Sequence, residues 1–212
     1  AHDTFKTIIY HPSLKEKFIN EITNAHIIAM DTETAGCVSP LKMVAFSLCT
    51  QSEHAWFFPL YGEGKKCNIY DECLEMLTLV LNNKEKLIVF HNASFDLHVI
   101  ADTNLTVPEK VTDTMIIAFF LYGSQGIKVG LKNLSYHFFK EKMVSFSDVV
   151  MNGKYESFDF VPLEQASKYA AADARQTFQL YILLKKELQE KEVNLFFTFG
   201  GDGTIVDRKS VV

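Results

Sequence analysis

The apolar run Ala25-His26-Ile27-Ile28-Ala29-Met30 breaks off in Asp31-Thr32-Glu33, and that junction constrains the chain more than any other. Alternate residues of a strand share a face, so a strand through this run points both carboxylates the same way out of a buried core. Two like charges there repel and are poorly solvated. A bound cation would relieve that repulsion.

The surrounding pattern suggests what encloses it. Phe5 to Tyr10 reads as a short strand, and His11-Pro12-Ser13 opens an amphipathic helix through about Glu21 with Ser13 as its cap. Strands are expected at about 26–32, 41–50 and 53–59, and the turn Thr50-Gln51-Ser52-Glu53 makes the last two an antiparallel hairpin. A charged loop, Gly62 to Lys66, leads to a helix near 70–82. Lys86 to Phe90 is a fully apolar strand, and the helical pattern ASFDLHVIA follows it. A short strand ends near Val111, and Asp113 opens an apolar helix through about Leu121. Leu131, Leu134, Phe138 and Phe139 repeat at helical spacing, and residues 145–161 show no regular pattern. Pro162 to Glu192 is a long helix with Pro162 placed in its first turn. Early strands with one hairpin, then helices, imply an α/β layer on a mixed sheet. Ligand chemistry then gathers at the carboxyl ends of the parallel strands, where Asp31 and Glu33 lie.

Composition sets outer limits. At 212 residues, 48% of them hydrophobic, the chain can form one well-cored domain. No apolar run reaches the roughly 18–20 residues of a membrane span, and no basic-then-apolar leader opens the sequence. It starts at Ala1 rather than at a methionine, which suggests an excised or processed piece. Cys37, Cys49, Cys67 and Cys73 match neither a zinc knuckle nor a secreted disulfide framework, so reduced, intracellular thiols are expected. A net charge of −5 argues against a protein whose main task is to coat nucleic acid, but not against an enzyme that grips a few nucleotides. GIKVG lacks the spacing of a P-loop, so no nucleoside triphosphate site is assigned.

Three stretches carry chemistry. They are Asp31-Thr32-Glu33, then HNASFD from His91 to Asp96 directly after an apolar strand, then YAAAD from Tyr169 to Asp173 on the long helix. The i, i+4 spacing puts Tyr169 and Asp173 on one helical face. Four carboxylates from two strand ends and two helices suit a hard, oxygen-seeking cation such as Mg²⁺ or Mn²⁺. Each stretch alone has a plainer reading: solvated charges at a strand end, an Asn92 cap with a first-turn Asp96, a core tyrosine beside a surface acid. Their joint occurrence in this order is what points to function.

The trio resembles the three motifs of the DEDD superfamily of 3′-5′ exonucleases, in the subgroup with tyrosine in the third motif. It is most similar to the proofreading domain of family A DNA polymerases, of the polymerase I type. The resemblance runs from about Phe5 to Asn194 and includes MDTET, HNASFD, DTMIIAFFL, LKNLS, SFSDV and YAAADA. SFSDV at Ser145 to Val149 favours the polymerase branch over ribonuclease D and Werner-type relatives. The resemblance implies a ribonuclease-H-like α/β fold: a mixed five-stranded sheet with one antiparallel strand, flanked by helices. Residues 1–194 would be the exonuclease domain and 195–212 a linker or non-family tail, with Gly200, Gly201 and Gly203 as the linker signal.

It also implies two Mg²⁺ or Mn²⁺ ions, with Asp31 bridging both and Glu33 and Asp173 completing the site of the ion that activates water. Asp96 would hold the second ion, partly through water, and Tyr169 would orient the attacking water. Thr34, Cys37, Asn92 and Phe146 fall where the family contacts the terminal nucleotides. Cys37 departs from the pattern, since polymerase I domains commonly carry a leucine wedge there; wedging is then weaker or moved to a neighbour. Asn92 also suits a helix cap, and Phe146 suits the core.

The implied substrate is the 3′ end of single-stranded or frayed DNA, with nucleoside 5′-monophosphates released. The implied partner is a polymerase domain in the same or another chain, and the setting is intracellular, with DNA. An RNA-trimming enzyme of the ribonuclease D kind and a silent nucleic-acid-binding module are the alternatives; silent versions lose carboxylates, and here all are present. Asp113 reads as a helix N-cap and His91 as a packed histidine. Lys128, Lys132, Lys140, Lys142 and Lys154 form a basic stretch that suits either a backbone-contacting rim or a solvated face.

Overall fold

A computed structural model describes residues 4–199 and 205–211. The chain runs β1 (Lys6–Ile9), α1 (Lys15–Asn24), β2 (Ile27–Thr34), β3 (Met43–Cys49) and β4 (His54–Pro59). The two-residue strands β5 (Tyr61–Gly62) and β6 (Lys65–Lys66) follow, then α2 (Tyr70–Leu81), β7 (Leu87–Phe90), α3 (Ala93–Asp102), β8 (Val111–Asp113) and α4 (Thr114–Tyr122). The last elements are α5 (Leu131–Phe139), α6 (Phe146–Val149), α7 (Leu163–Glu190), β9 (Val193–Phe199) and β10 (Ile205–Val211).

The main sheet has the order β1-β4-β3-β2-β7-β8, and β3 alone runs against the other strands. This is the expected α/β sheet with one antiparallel strand, but with six strands rather than five. The sixth is the three-residue edge strand β8, which begins at Val111, where the sequence pattern places the end of a short strand.

Alternation along β2 sorts the molecule into layers. Ile28 and Met30 join a core with Phe18 of α1, Leu77 of α2 and Leu97 of α3. Ala29 faces the opposite way, into a core with Ile117 of α4, Leu134 of α5 and Ala171 and Ala174 of α7. The period of two therefore continues past Met30 to send Asp31 and Glu33 towards the α7 layer and Thr32 towards the α3 layer.

Local details differ from the sequence reading in four places. Ser13 does not cap α1: a 3₁₀ turn, Pro12–Leu14, precedes it, and His11 Nδ1 accepts from the Ser13 amide at 3.1 Å. Pro162 is the N-cap of α7 rather than a first-turn residue. The charged loop at 62–66 closes as the small β5–β6 pair. Where residues 195–212 were expected to form a linker or non-family tail, β9 and β10 pair antiparallel, and Leu195 and Phe197 pack on the α7-side core. Gly200, Gly201 and Gly203 lie outside the described residues.

Asp113 does more than the N-cap expected of it. Its fully buried carboxylate takes the Met115 amide (2.8 Å) at the start of α4, and also the amides of Asn92 (3.0 Å) and Ala93 (2.8 Å) at the start of α3. One side chain therefore anchors two helices. His91 packs alongside as read, with Nδ1 2.7 Å from Thr114 Oγ1 and Nε2 2.9 Å from the Val129 carbonyl. Asp113→Ala should lower unfolding free energy by about 2–4 kcal/mol in urea titration, because stranding a buried donor costs about 1–3 kcal/mol. Asp113→Asn, which keeps one acceptor oxygen, should lose roughly half as much.

Candidate active site

The site forms where two strands part company. β2 and β7 pair in parallel only as far as Ala29 and Val89, and β7 then ends at Phe90 and turns into α3. Past that point β2 has no strand on this side, and its polar groups need other partners. Asp96, on the first turn of α3, supplies them: its Oδ1 accepts from the Thr32 amide at 3.0 Å and from Thr32 Oγ1 at 2.6 Å. The position between the two carboxylates of the D-x-E motif thus fixes the third.

On its other edge β2 stays paired with β3, Asp31 opposite Ser47 and Glu33 opposite Ala45. Ser47 Oγ donates to the Ala170 carbonyl of α7 at 2.9 Å. Ala170, Ala171 and Ala174 are fully buried, and their small side chains let α7 lie close on the sheet. That contact delivers Asp173 to the two strand carboxylates. One ligand oxygen from each of Asp31, Glu33 and Asp173 lies within 4.8 Å of the others. Glu33 Oε1 and Asp173 Oδ1 are buried with no hydrogen-bond partner.

The electrostatics follow from that crowding. Burial first, then Glu33, Asp173 and Asp96, raise the Asp31 carboxyl well above the usual range. Glu33 is raised well above it too, by burial and then by Asp173. Burial lifts Asp96 to about 7 against the two Thr32 hydrogen bonds, and lifts Asp173 to about 6 against Lys132. Buried, mutually repelling oxygens without donors are what a divalent cation relieves. Asp31, Glu33 and Asp173 fit a metal ion, and Asp96 adjoins them with one oxygen committed to Thr32.

Tyr169 stands one helical turn before Asp173. Its ring packs edge-on to Phe146 (centroids 6.4 Å apart) and tilted to Phe158 (5.9 Å). Burial, then Asp173, Glu33 and Asp31, push its phenol above the ordinary value, so the hydroxyl keeps its proton. A cavity of about 420 Å³ beside Glu33 is lined by Thr34, Cys37 and Phe146 together with Phe95 and Tyr155. Asn92 does not line it. Its side chain makes no cap bond either: the residue is left-handed (φ 69°), and its amide is held by Asp113. Sequence reasoning passed over Phe95, whose signal was an aromatic next to Asp96 that the helical period turns outward. It also read Lys132 only as part of a basic stretch. Lys132 Nζ in fact lies 3.9 Å from Asp173 Oδ1 and 5.2 Å from the Tyr169 ring centre.

Residues 7–189 match the sequence profile of the 3′-5′ exonuclease domain found in A-type DNA polymerases. The chain belongs to the 3′-5′ exonuclease family. DNA polymerase I of Chloroflexus aurantiacus is 30% identical over 188 residues, 86% of this chain and 19% of that protein. DNA polymerase I of Treponema pallidum is 29% identical over 201 residues, 77% of this chain and 20% of that protein. The chain thus spans about a fifth of the length of these relatives. Among solved structures, Brucella melitensis NrnC with bound Mg²⁺ superposes with a TM-score of 0.63 at 22% identity, over 89% of this chain and 83% of that one. Escherichia coli RNase D, an exoribonuclease involved in structured RNA processing, gives 0.65 at 19% identity, over 88% and 45%. These two establish the shared fold. Family membership makes the chain an exonuclease enzyme of metal-dependent type. Among the described residues no helix is long and apolar enough to cross a membrane.

The raised carboxyls set a pH dependence. In chelator, Asp96 and Asp173 titrate at about 7 and about 6 in the folded chain and near 3.9 when unfolded. Between those values the folded state holds more protons than the unfolded one, so stability falls as pH rises. His91, lowered by burial, works the other way, one group against four carboxyls. The metal-free protein should therefore melt at a higher temperature at pH 5 than at pH 8, by scanning calorimetry. A divalent cation should raise Tm most at pH 8 and shrink the difference.

Proposed function

We propose that this chain is the proofreading module of a DNA polymerase. On this reading it hydrolyses phosphodiester bonds at the 3′ ends of single-stranded or frayed DNA and releases nucleoside 5′-monophosphates. The observation that carries the reading is the convergence of Asp31, Glu33 and Asp173, with two oxygens lacking donors, beside a tyrosine whose hydroxyl stays protonated. The DNA polymerase I relatives support DNA as the substrate. Residues 1–194 are the exonuclease unit in this proposal. Its setting is intracellular, with DNA, and its partner a polymerase domain in the same or another chain.

Two Mg²⁺ or Mn²⁺ ions, when bound, would supply Lewis-acid activation of water and neutralise charge at the entering and leaving oxygens. Asp31 would serve as a ligand to both, Glu33 and Asp173 would complete the ligand set on the water side, and Asp96 would serve the leaving-group side. Tyr169 orients the water through its hydroxyl without removing a proton from it. Thr34, Cys37 and Phe146 receive the terminal nucleotide in the cavity beside Glu33, and Asn92 offers a donor to its sugar or phosphate. Phe95 adds an aromatic face to that cavity, at the level where Cys37 is too small to wedge between bases.

Matched DNA and RNA oligonucleotides, labelled at either end and incubated with Mg²⁺ or chelator, test this reading. A 3′ label should appear at once as mononucleotide and a 5′ label in a descending ladder, on DNA, with Mg²⁺ only. Mismatched and single-stranded ends should be cut faster than paired G·C ends, since melting costs about 1.4 kcal/mol per base-pair step. Asp31→Ala should retain less than about a tenth of the activity, a modest bound for losing a shared ligand of both ions. Faster cleavage of RNA than DNA would favour the RNA-trimming reading that RNase D suggests; no cleavage of either would leave a silent module. Tyr169→Phe should lower kcat by roughly 10–10³-fold, the worth of positioning a nucleophile. Its metal affinity by titration calorimetry should not change.

A further inference from the structure

Lys132 is the residue near the carboxylates that no role above absorbs. It occupies the second position of α5, whose cap, Gly130, makes no side-chain bond and whose first turn carries no acid. The positive end of a helix disfavours a cation there by about 0.3–1 kcal/mol, so its placement needs an anionic partner. The recorded partner, Asp173 Oδ1, is 3.9 Å away, too far for a hydrogen bond. The lysine side chain keeps 36% exposure, and a long, half-open ion pair of this kind contributes little stability. Its ammonium lies over the Tyr169 ring at 5.2 Å, held on the side where Tyr169 and Asp173 meet. The arrangement is a poor structural salt bridge, but it suits a cation waiting beside a space that an anion enters.

We propose that Lys132 is a further catalytic residue, which contacts a non-bridging oxygen of the phosphate being cleaved. This rests on the exonuclease reading above. Asp31, Glu33, Asp96 and Asp173 balance two divalent ions and leave the substrate phosphate's own charge uncompensated. As the water oxygen bonds to phosphorus and the bond to the 3′ oxygen breaks, negative charge on the non-bridging oxygens grows. One water proton passes to solvent and the departing 3′ oxygen gains one, so a strand ending in a 3′ hydroxyl and a nucleoside 5′-monophosphate result. Lys132 acts by charge and hydrogen bonding, of most use when that charge is largest.

Lys132→Met and Lys132→Arg test it. Lys132→Met should lower kcat by about 10–10²-fold, at or below the usual loss of one oxyanion donor, with KM for the oligonucleotide little changed; Lys132→Arg should recover most of the rate. A second readout needs no turnover: titration calorimetry of deoxyadenosine 5′-monophosphate with Ca²⁺ present, and of Mn²⁺ alone. The methionine variant should bind the monophosphate about tenfold more weakly and Mn²⁺ at least as tightly as the unmodified chain. Unchanged monophosphate binding, or a loss matched by an equal loss of Mn²⁺ affinity, overturns the proposal, because Lys132 would then act only through the carboxylates. If the unmodified chain binds the monophosphate in a Lys132-dependent way yet cleaves nothing, the contact stands and the exonuclease reading fails.

Discussion

Carboxylate oxygens held within 4.8 Å of one another and out of water oppose the folding of any chain that gathers them. The rest of this molecule is arranged around withstanding that repulsion. Each acid is fixed by an interaction that does not involve its own charge. Asp31 and Glu33 are carried by the ladder between β2 and β3, and Asp173 by the Ser47 bond and the buried alanines beneath α7. Asp96 is the exception: it is drawn in by the Thr32 amide and hydroxyl, left facing it once β7 turns away. The scaffold pre-pays the positioning, so an arriving cation meets a formed site and gains relief of repulsion as binding free energy, less the protons it displaces from the raised carboxyls.

That division explains what the sequence disclosed and what it hid. The faces on which Asp31, Glu33, Tyr169 and Asp173 lie were legible because strand and helix periods are local and place side chains without knowledge of the partner element; that they and Asp96 belong to one site rested on the three motifs occurring together and on the family resemblance. The single reversed strand was legible from one turn, Thr50 to Glu53. The bounds of the three-residue β8 were not: it begins at Val111, where the sequence pattern puts its end, because an edge strand of that length is fixed by the ladder β7 offers it. Nor was the second task of Asp113. A cap for α4 is a local pattern, but its hold on the Asn92 and Ala93 amides crosses 20 residues of chain and depends on β7 and β8 lying side by side. Asn92 was misread as a side-chain cap for the same reason: a residue with φ near 69° gives up its own amide to a distant acid, and no spacing rule anticipates that. Lys132 reads as one lysine among several until α5 is seen to end its first turn against Asp173.

The link through Asp113 has a mechanical consequence for the site. Its carboxylate grips the two amides that open α3, and Asp96 lies in the first turn after them. The same carboxylate caps α4, which belongs to the opposite layer. The position of Asp96 is therefore referenced to both faces of the sheet, through Thr32 at one end and Asp113 at the other. A loop-borne acid could relax away from its neighbours as they ionise. One tied at both ends stays where it is, and burial there raises its carboxyl to about 7 against the two Thr32 hydrogen bonds that lower it.

The cavity beside Glu33 is organised differently, and the contrast says which part of the site is rigid and which adapts. The ligand acids are buried and cross-tied. The cavity wall is built from exposed pieces: Cys37 in the turn after β2, Phe146 at the head of the four-residue α6, and Phe95 on the outward side of α3. Phe146 contacts Tyr169 edge-on, so under the proposed function the residue that would face a terminal base also touches the one that would face the water. A base stacked on Phe146 and one that fails to stack would press differently on Tyr169. Under the proposed function, an aromatic wall coupled to the nucleophile's holder would make the rate sensitive to how the last nucleotide sits, with no hydrogen-bond reading of which base it is.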